Sequence, residues 1–190
     1  MQHIIGITGG IGSGKSTIAR ELAKRGYSIY DCDREAKRII AENAEVQQAI
    51  TDLLGQEAFI NGQYNTKYVA QRVFEDPTLL AQLNAIVHPK VKEDICQRKP
   101  DFVESAILFE AGLDALCDKV FIIDAPEEIR IARTIHRDYH GEHTPENINK
   151  VRARIRAQAF KEESKAKTER ILNDGNTPLD ALICRILQGI

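Results

Sequence analysis

Residues 9–17 read Gly9-Gly10-Ile11-Gly12-Ser13-Gly14-Lys15-Ser16-Thr17, which fits G-x-x-x-x-G-K-[ST], the P-loop. The pattern constrains the fold because it needs a buried strand before it and a helix after it. Both are present. His3-Ile4-Ile5-Gly6-Ile7-Thr8 is a short apolar run suited to a buried strand. Ile18, Ala19, Leu22 and Ala23 then mark one helical face, ended by Gly26. The glycines let the backbone curl around phosphates and aim its N–H groups at them. The helix adds its positive N-terminal end. Lys15 supplies a compact cation for the β- and γ-phosphates, and Ser16 a hydroxyl for Mg²⁺. The stretch Gly10 to Thr17 therefore predicts binding of a nucleoside triphosphate with Mg²⁺.

The totals leave room for this and exclude other classes. At 190 residues the chain is one domain with space for small inserted subdomains. A net charge of −2 gives no global field for nucleic acid or an anionic membrane. Cys32, Cys96, Cys117 and Cys184 are far apart and form no C-x-x-C, so neither a metal nor a disulfide framework is expected. No apolar run approaches membrane-spanning length. The chain enters its first strand at once, with no charged leader. These features predict a cytoplasmic protein with no membrane or nucleic-acid partner.

Tyr27-Ser28-Ile29-Tyr30 is the second strand candidate, expected beside the P-loop strand, and it runs into Asp31-Cys32-Asp33. Carboxylates just past the carboxyl end of a strand sit where open α/β sheets bind ligands. Asp33 has two compatible readings, a chemical group facing the crevice or the N-cap of a helix from Arg34 to Ile40. A helical insertion follows. Val46, Ala49, Ile50, Leu53 and Leu54 form a helical stripe, Asn61-Gly62 signals a hairpin turn, and Thr66 is placed to cap a further helix. Asp76-Pro77 opens another helix, which Pro89 should kink or break. His88, beside that break, is either a substrate contact or a partly buried structural histidine.

Phe102 to Phe109 is the third strand candidate, with Glu110 at its end, and Lys119 to Asp124 the fourth. Each has the apolar-run-plus-carboxylate form of an element that holds Mg²⁺, Asp124 being the better match, but Ala125-Pro126 starts a helix directly after it, so Asp124 is alternatively only the cap of that helix. From Arg130 to Arg170 the chain carries 11 Lys or Arg against 6 Asp or Glu. Arg133 and Arg137 share a helical face before a loop with Gly141, and Thr144-Pro145 starts a second basic helix. This is a lid over phosphates or a solvated basic helix pair. His136, His140 and His143 lie nearby without the acidic or Cys partners a metal site usually has. Ile171-Leu172-Asn173 is a last strand candidate, and Thr177-Pro178 is read as capping a final helix.

Taken in order, these landmarks resemble the dephospho-CoA kinase family of nucleotide-kinase-like P-loop proteins. The resemblance runs nearly end to end. It rests on the P-loop with its lead-in Gly6-Ile7-Thr8, on Asp31-Cys32-Asp33 followed by Glu35-Ala36-Lys37-Arg38, and on Arg72-Val73-Phe74 and His88-Pro89. Leu108-Phe109-Glu110, Arg133 to Asp138, Gln158 and Asn173-Asp174-Gly175 complete it. The chain departs from the family pattern at Ala106, where a proline is usual, and at Lys167-Thr168, where Ala-Asp is usual.

The resemblance implies an α/β P-loop fold: a five-stranded parallel sheet core with a helical substrate domain and a lid. The core would be about 1–33, 100–130 and 165–190, the insertion about 34–99 and the lid about 131–164. It implies transfer of the ATP γ-phosphate to the ribose 3′-hydroxyl of dephospho-CoA, with Mg²⁺, by a monomer or small homo-oligomer. Asp33, Lys15 and Arg137 would be catalytic, and Ser16 the metal ligand. Gly10, Ile11, Gly12, Ser13, Gly14, Lys15, Ser16, Thr17, Arg133, Arg137 and Asn173 would hold ATP. Thr8, Asp31, Asp33, Arg72, His88 and Glu110 would meet the acceptor. One alternative is another small-molecule P-loop kinase, acting on a nucleoside, nucleotide or sugar, and a GTP-dependent switch is the competing reading of a different class. Asp52-Leu53-Leu54-Gly55 matches D-x-x-G, but Leu53 and Leu54 are helical core positions and no N-K-x-D element exists.

Overall fold

A computed structural model describes residues 3–158 and 166–190. The chain divides into two units, one formed by Met1–Tyr30 with Lys99–Ile190, the other by Asp31–Arg98. Strands β1 (Ile5–Gly9), β2 (Ile29–Asp31), β5 (Phe102–Glu104), β6 (Lys119–Asp124) and β7 (Lys167–Leu172) form one sheet in the order β2-β5-β1-β6-β7. β1 pairs in parallel with both β5 and β6, and β6 with β7. This is the expected five-stranded parallel α/β fold. The order corrects one expectation: β2 lies beside β5, and β5 separates it from the P-loop strand.

The sheet is covered by helices whose apolar stripes the sequence carries. Ile18 and Leu22 of α1 (Lys15–Lys24) and Leu182, Ile183 and Ile186 of α8 (Leu179–Gln188) pack with Ile5, Ile7, Phe102, Phe121, Ile123 and Ile171. Each such side chain, fully buried, contributes about 1.5–3 kcal/mol. A Cβ at Gly6 would stand 3.0 Å from Val120 and 3.1 Å from Cys117 and Leu108, so the glycine lets those side chains close onto β1. Burial, with Asp114 and Asp118 nearby, pushes the Cys117 thiol up to about 12, so it packs as a neutral group. A second cluster joins α6 (Glu127–Asp138) to α7 (Pro145–Ala157) through Ile131, Ile135, Val151 and Ile155.

The second unit contains α2 (Cys32–Glu42), α3 (Ala44–Leu54), the hairpin β3 (Phe59–Ile60) and β4 (Gln63–Tyr64), α4 (Thr66–Glu75) and α5 (Pro77–Arg98). α5 packs against α2, α3 and α4. Buried Glu35 is bonded by Arg38 at 2.7 Å and lies 3.2 Å from Arg98. Burial raises its carboxyl, but the Arg38 and Arg34 hydrogen bonds and the Arg98 charge outweigh this and hold it below the usual range. Leu54 is buried on a helix, so the D-x-x-G match belongs to the core of this unit.

Several local expectations are corrected. Pro89 does not break its helix: α5 runs 22 residues through it. Leu83, Val87, Val91 and Ile95 form a buried stripe at four-residue spacing, and that packing outweighs the roughly 3 kcal/mol cost of an internal proline. Asp31, not Asp33, caps α2, with Arg34 N–H donating to its carboxylate at 3.0 Å. Asn65, not Thr66, caps α4. Pro178 stands at the N-cap of α8 with no side-chain cap, and Thr177 instead donates its N–H to Asp174. β5 ends at Glu104, because Ser105 accepts the Ile107 N–H and turns the chain out of the sheet. β7 is longer than its apolar end suggested and begins at Lys167. Among the described residues, no helix is long and apolar enough to cross a membrane.

Candidate active site

β1 ends at Gly9 and α1 begins at Lys15, so the intervening loop lies at the carboxyl edge of the sheet. Gly12 and Gly14 take φ of +75° and +95°. A Cβ at Gly12 would strike the Arg130 carbonyl oxygen, and one at Gly14 the Asn173 amide. These positions require glycine for conformation and for space. Gly14 is the N-cap of α1 and offers no side-chain cap. The first N–H groups of a helix have no intrahelical acceptor, so this end is built to take an anion.

Two loop carbonyls are held by side chains of other elements. Ile11 C=O accepts from Arg130 Nε at 2.8 Å, and Ser13 C=O from Asn173 Nδ2 at 2.8 Å and Arg133 Nη1 at 3.2 Å. In a trans peptide the N–H points opposite to the C=O. The Gly12 N–H therefore faces away from Arg130, and the Gly14 N–H away from Asn173 and Arg133. Both glycines line a cavity of about 840 Å³, together with Lys15, Ser16, Thr17, Arg20, Arg133, His136, Arg137 and the segment 175–179. The cavity is lined by four formal cations and no carboxylate. A polyanion is the ligand class such a lining favours.

One carboxylate stands just behind this wall. Glu104, at the end of β5, is buried, lies 3.7 Å from Lys15 Nζ and accepts from Ser16 Oγ at 3.2 Å. Ser16 Oγ and Glu104 are hard oxygen donors. A small hard cation that keeps several waters and takes one or two protein oxygens plus phosphate suits this pair. Glu104 was not among the sequence candidates. Its signal was a charge inside the apolar run Phe102-Val103-Glu104, which looks mid-strand when the strand is drawn to Phe109. Arg130 and Arg20 were likewise missed as site residues.

The structure brings Gly12, Gly14, Lys15, Ser16, Thr17, Arg133, Arg137 and Asn173 to one crevice. Thr8 and Glu110, of the same unit, do not line it. Thr8 is buried in β1, and its hydroxyl, like that of Ser13, finds no partner among the described residues. Glu110 is exposed in the turns after β5. Asp31, Asp33, Arg72 and His88 belong to the second unit, with Asp33 and Arg72 exposed. Burial, with Lys92 nearby, holds His88 below the usual histidine range, so it is neutral at pH 7. His136, His140 and His143 form no metal-binding group among the described residues. Asp124 accepts from Ala125 N–H at 2.9 Å and does not cap α6. Residues 159–164 of the expected lid lie outside the described residues.

Arg137 pairs with Asp138 at 2.6 Å, and Arg154 reaches Asp138 from α7 at 2.8 Å. The Arg137 hydrogen bond, helped by Arg154, holds the Asp138 carboxyl at about 2, against an ordinary 3.8. A carboxyl depressed in the folded state stabilises it above the ordinary value, and this is lost as pH falls through the folded value. Hydrogen exchange across α6 and α7 is therefore expected to speed up as pH falls from about 4 to about 2, after correction for intrinsic rates. Asp138→Asn should start less protected at neutral pH and change less over that range. An identical pH response in the two proteins would separate Asp138 from the stability of the helix pair.

The family model for dephospho-CoA kinase (CoaE) matches residues 3–179. A dephospho-CoA kinase of Porphyromonas gingivalis is 44% identical over 140 residues, covering 70% of this chain and 69% of its own length. One of Bacteroides fragilis is 36% identical over 194 residues, covering 96% of this chain and 90% of its own. The structure of dephospho-CoA kinase from Campylobacter jejuni superposes with a TM-score of 0.67 at 25% identity, covering 99% of this chain and 96% of that one.

Proposed function

The chain belongs to the dephospho-CoA kinase family, and from that premise we infer that it transfers the γ-phosphate of ATP to the ribose 3′-hydroxyl of dephospho-CoA. The products are CoA and ADP. The observation that carries the reading is the cavity at the start of α1, lined by four cations and no carboxylate. Phosphoryl transfer needs positioned reactants and neutralised charge more than covalent help from the protein. The loop N–H groups, Lys15, Arg133 and Arg137 provide both for the triphosphate. Ser16 and Glu104 would hold Mg²⁺, which, when bound, neutralises charge on the β- and γ-phosphates.

Asp33 is the proposed base. The acceptor oxygen attacks the γ-phosphorus, the bond to the β–γ bridging oxygen breaks, and the hydroxyl proton passes to Asp33. This assignment rests on its place two residues past β2 and on the family motif. Thr8, Asp31, Arg72, His88 and Glu110 are proposed to bind the acceptor, Asp31–Arg98 serving as the substrate unit. The helices α6 and α7 are proposed as a lid. The four cysteines are free thiols, in keeping with a cytoplasmic enzyme.

A panel of acceptors tests the reading, with ADP release as the signal. Dephospho-CoA should be turned over with MgATP, while nucleosides, nucleotides, sugars and shikimate should not. Comparable turnover of another acceptor would move the assignment to a different small-molecule kinase.

A further inference from the structure

Beside the Arg133 bond to the Ser13 carbonyl, the P-loop is fastened to the helix pair α6–α7 at Ile11, by three separate means. The Ile11 side chain packs against Ile131, Ile135, Val151 and Ile155, the core of the pair. The Ile11 carbonyl accepts from Arg130 Nε, on α6, at 2.8 Å. The Ile11 N–H donates to Gln158 Oε1, at the C-cap of α7, at 2.7 Å. Gln158 Nε2 also donates to Ala106 C=O at 3.4 Å, so the same amide touches the segment after β5.

These bonds decide which way two peptide groups face. With the Ile11 carbonyl held by Arg130, which is not among the residues lining the cavity as Gly12 is, the Gly12 N–H of the same peptide faces away from Arg130. With the Ile11 N–H held by Gln158, the Gly10 carbonyl faces the opposite way, where it accepts from Ser13 N–H at 3.1 Å and closes the loop. The glycines themselves fix neither orientation, because they are conformationally permissive. A flipped Ile11–Gly12 peptide would present a carbonyl oxygen to a phosphate, a dipole of the wrong sign.

We propose that Ile11, Arg130 and Gln158 form a joint through which α6–α7 sets the phosphate-binding orientation of the P-loop, with Arg130 and Gln158 as positioning residues for ATP. The proposal rests on the reading that this crevice binds ATP. The joint makes loop geometry and helix-pair position one cooperative unit. ATP bound at the loop then orders α6–α7, and a lid held correctly tightens ATP in return.

The test compares the wild type with Gln158→Met, Arg130→Met and Arg130→Lys. Gln158→Met keeps length and removes the acceptor. Arg130→Lys keeps a donor for the Ile11 carbonyl. In the wild type, a non-hydrolysable ATP analogue should slow hydrogen exchange both at the start of α1 and across α6–α7. In Gln158→Met, affinity for the analogue and kcat/KM for ATP should fall about tenfold, the size of one lost hydrogen bond to a peptide group. KM for dephospho-CoA should stay unchanged. At saturating analogue, α1 should still be protected and α6–α7 should not. Arg130→Lys should recover part of what Arg130→Met loses. Wild-type affinity with α6–α7 still protected in both methionine variants would overturn the proposal, even if the melting temperature fell. A wild type that does not bind the analogue would overturn the ATP reading itself, and the joint with it.

Discussion

Turnover of a Lys15→Ala variant is expected to fall by about 10²–10³-fold or more, with the fold intact. A preorganised positive group facing developing charge contributes on this scale in a site shielded from water. Lys15 is mostly buried, lies 3.7 Å from Glu104 and lines the cation-rich cavity. With alanine there, the β- and γ-phosphates lose their nearest compact cation. Ser16 remains bonded to Glu104, so the wall of the site keeps a polar contact on that carboxylate. Steady-state kinetics and far-UV circular dichroism on one preparation check the result. Near-wild-type turnover with an unchanged spectrum would remove the P-loop from the mechanism.

The second large effect is expected at Asp33. Asp33→Asn preserves shape and removes the proton acceptor. ATP affinity should change little, while turnover should fall by about 10²–10⁴-fold, the usual range for losing a general base. The structure sharpens this test. The helix cap is Asp31, whose carboxylate accepts the Arg34 N–H at 3.0 Å, while Asp33 is exposed in the first turn of α2. Loss of a cap, about 1 kcal/mol, should therefore accompany Asp31→Ala and not Asp33→Asn. An Asp33→Asn enzyme with full turnover would pass the role of base to another carboxylate, Asp31 first.

How far the sequence could be read follows from which interactions are local. The P-loop, the α1 stripe and the run Lys119–Asp124 are contiguous patterns, and each stands in the structure as an element or a tight loop. Thr144-Pro145 opens α7 as a cap followed by proline, again a local signal. Strand adjacency is not local. Nothing in Tyr27 to Tyr30 says that β5 lies between this strand and β1. Glu104 was overlooked for the same reason, since its meaning depends on the partner strand. Once β5 is known to lie beside β1, with Ile7 opposite Glu104, a buried carboxylate there falls next to Lys15 and Ser16. Arg130 and Gln158 act on the loop across 119 and 147 residues of chain, beyond the reach of any periodicity. Pro89 shows the opposite failure: a strong local rule lost to a buried stripe that only tertiary packing rewards.

Mass spectrometry of the reaction product tests the central claim most directly. The protein is incubated with MgATP and dephospho-CoA, and the acceptor is followed by mass and by fragmentation of its ribose. The account predicts conversion to CoA, one phosphoryl group heavier and carrying it on the ribose 3′-oxygen, with one ADP formed per CoA. Unchanged dephospho-CoA in the presence of a folded, ATP-binding protein would contradict it.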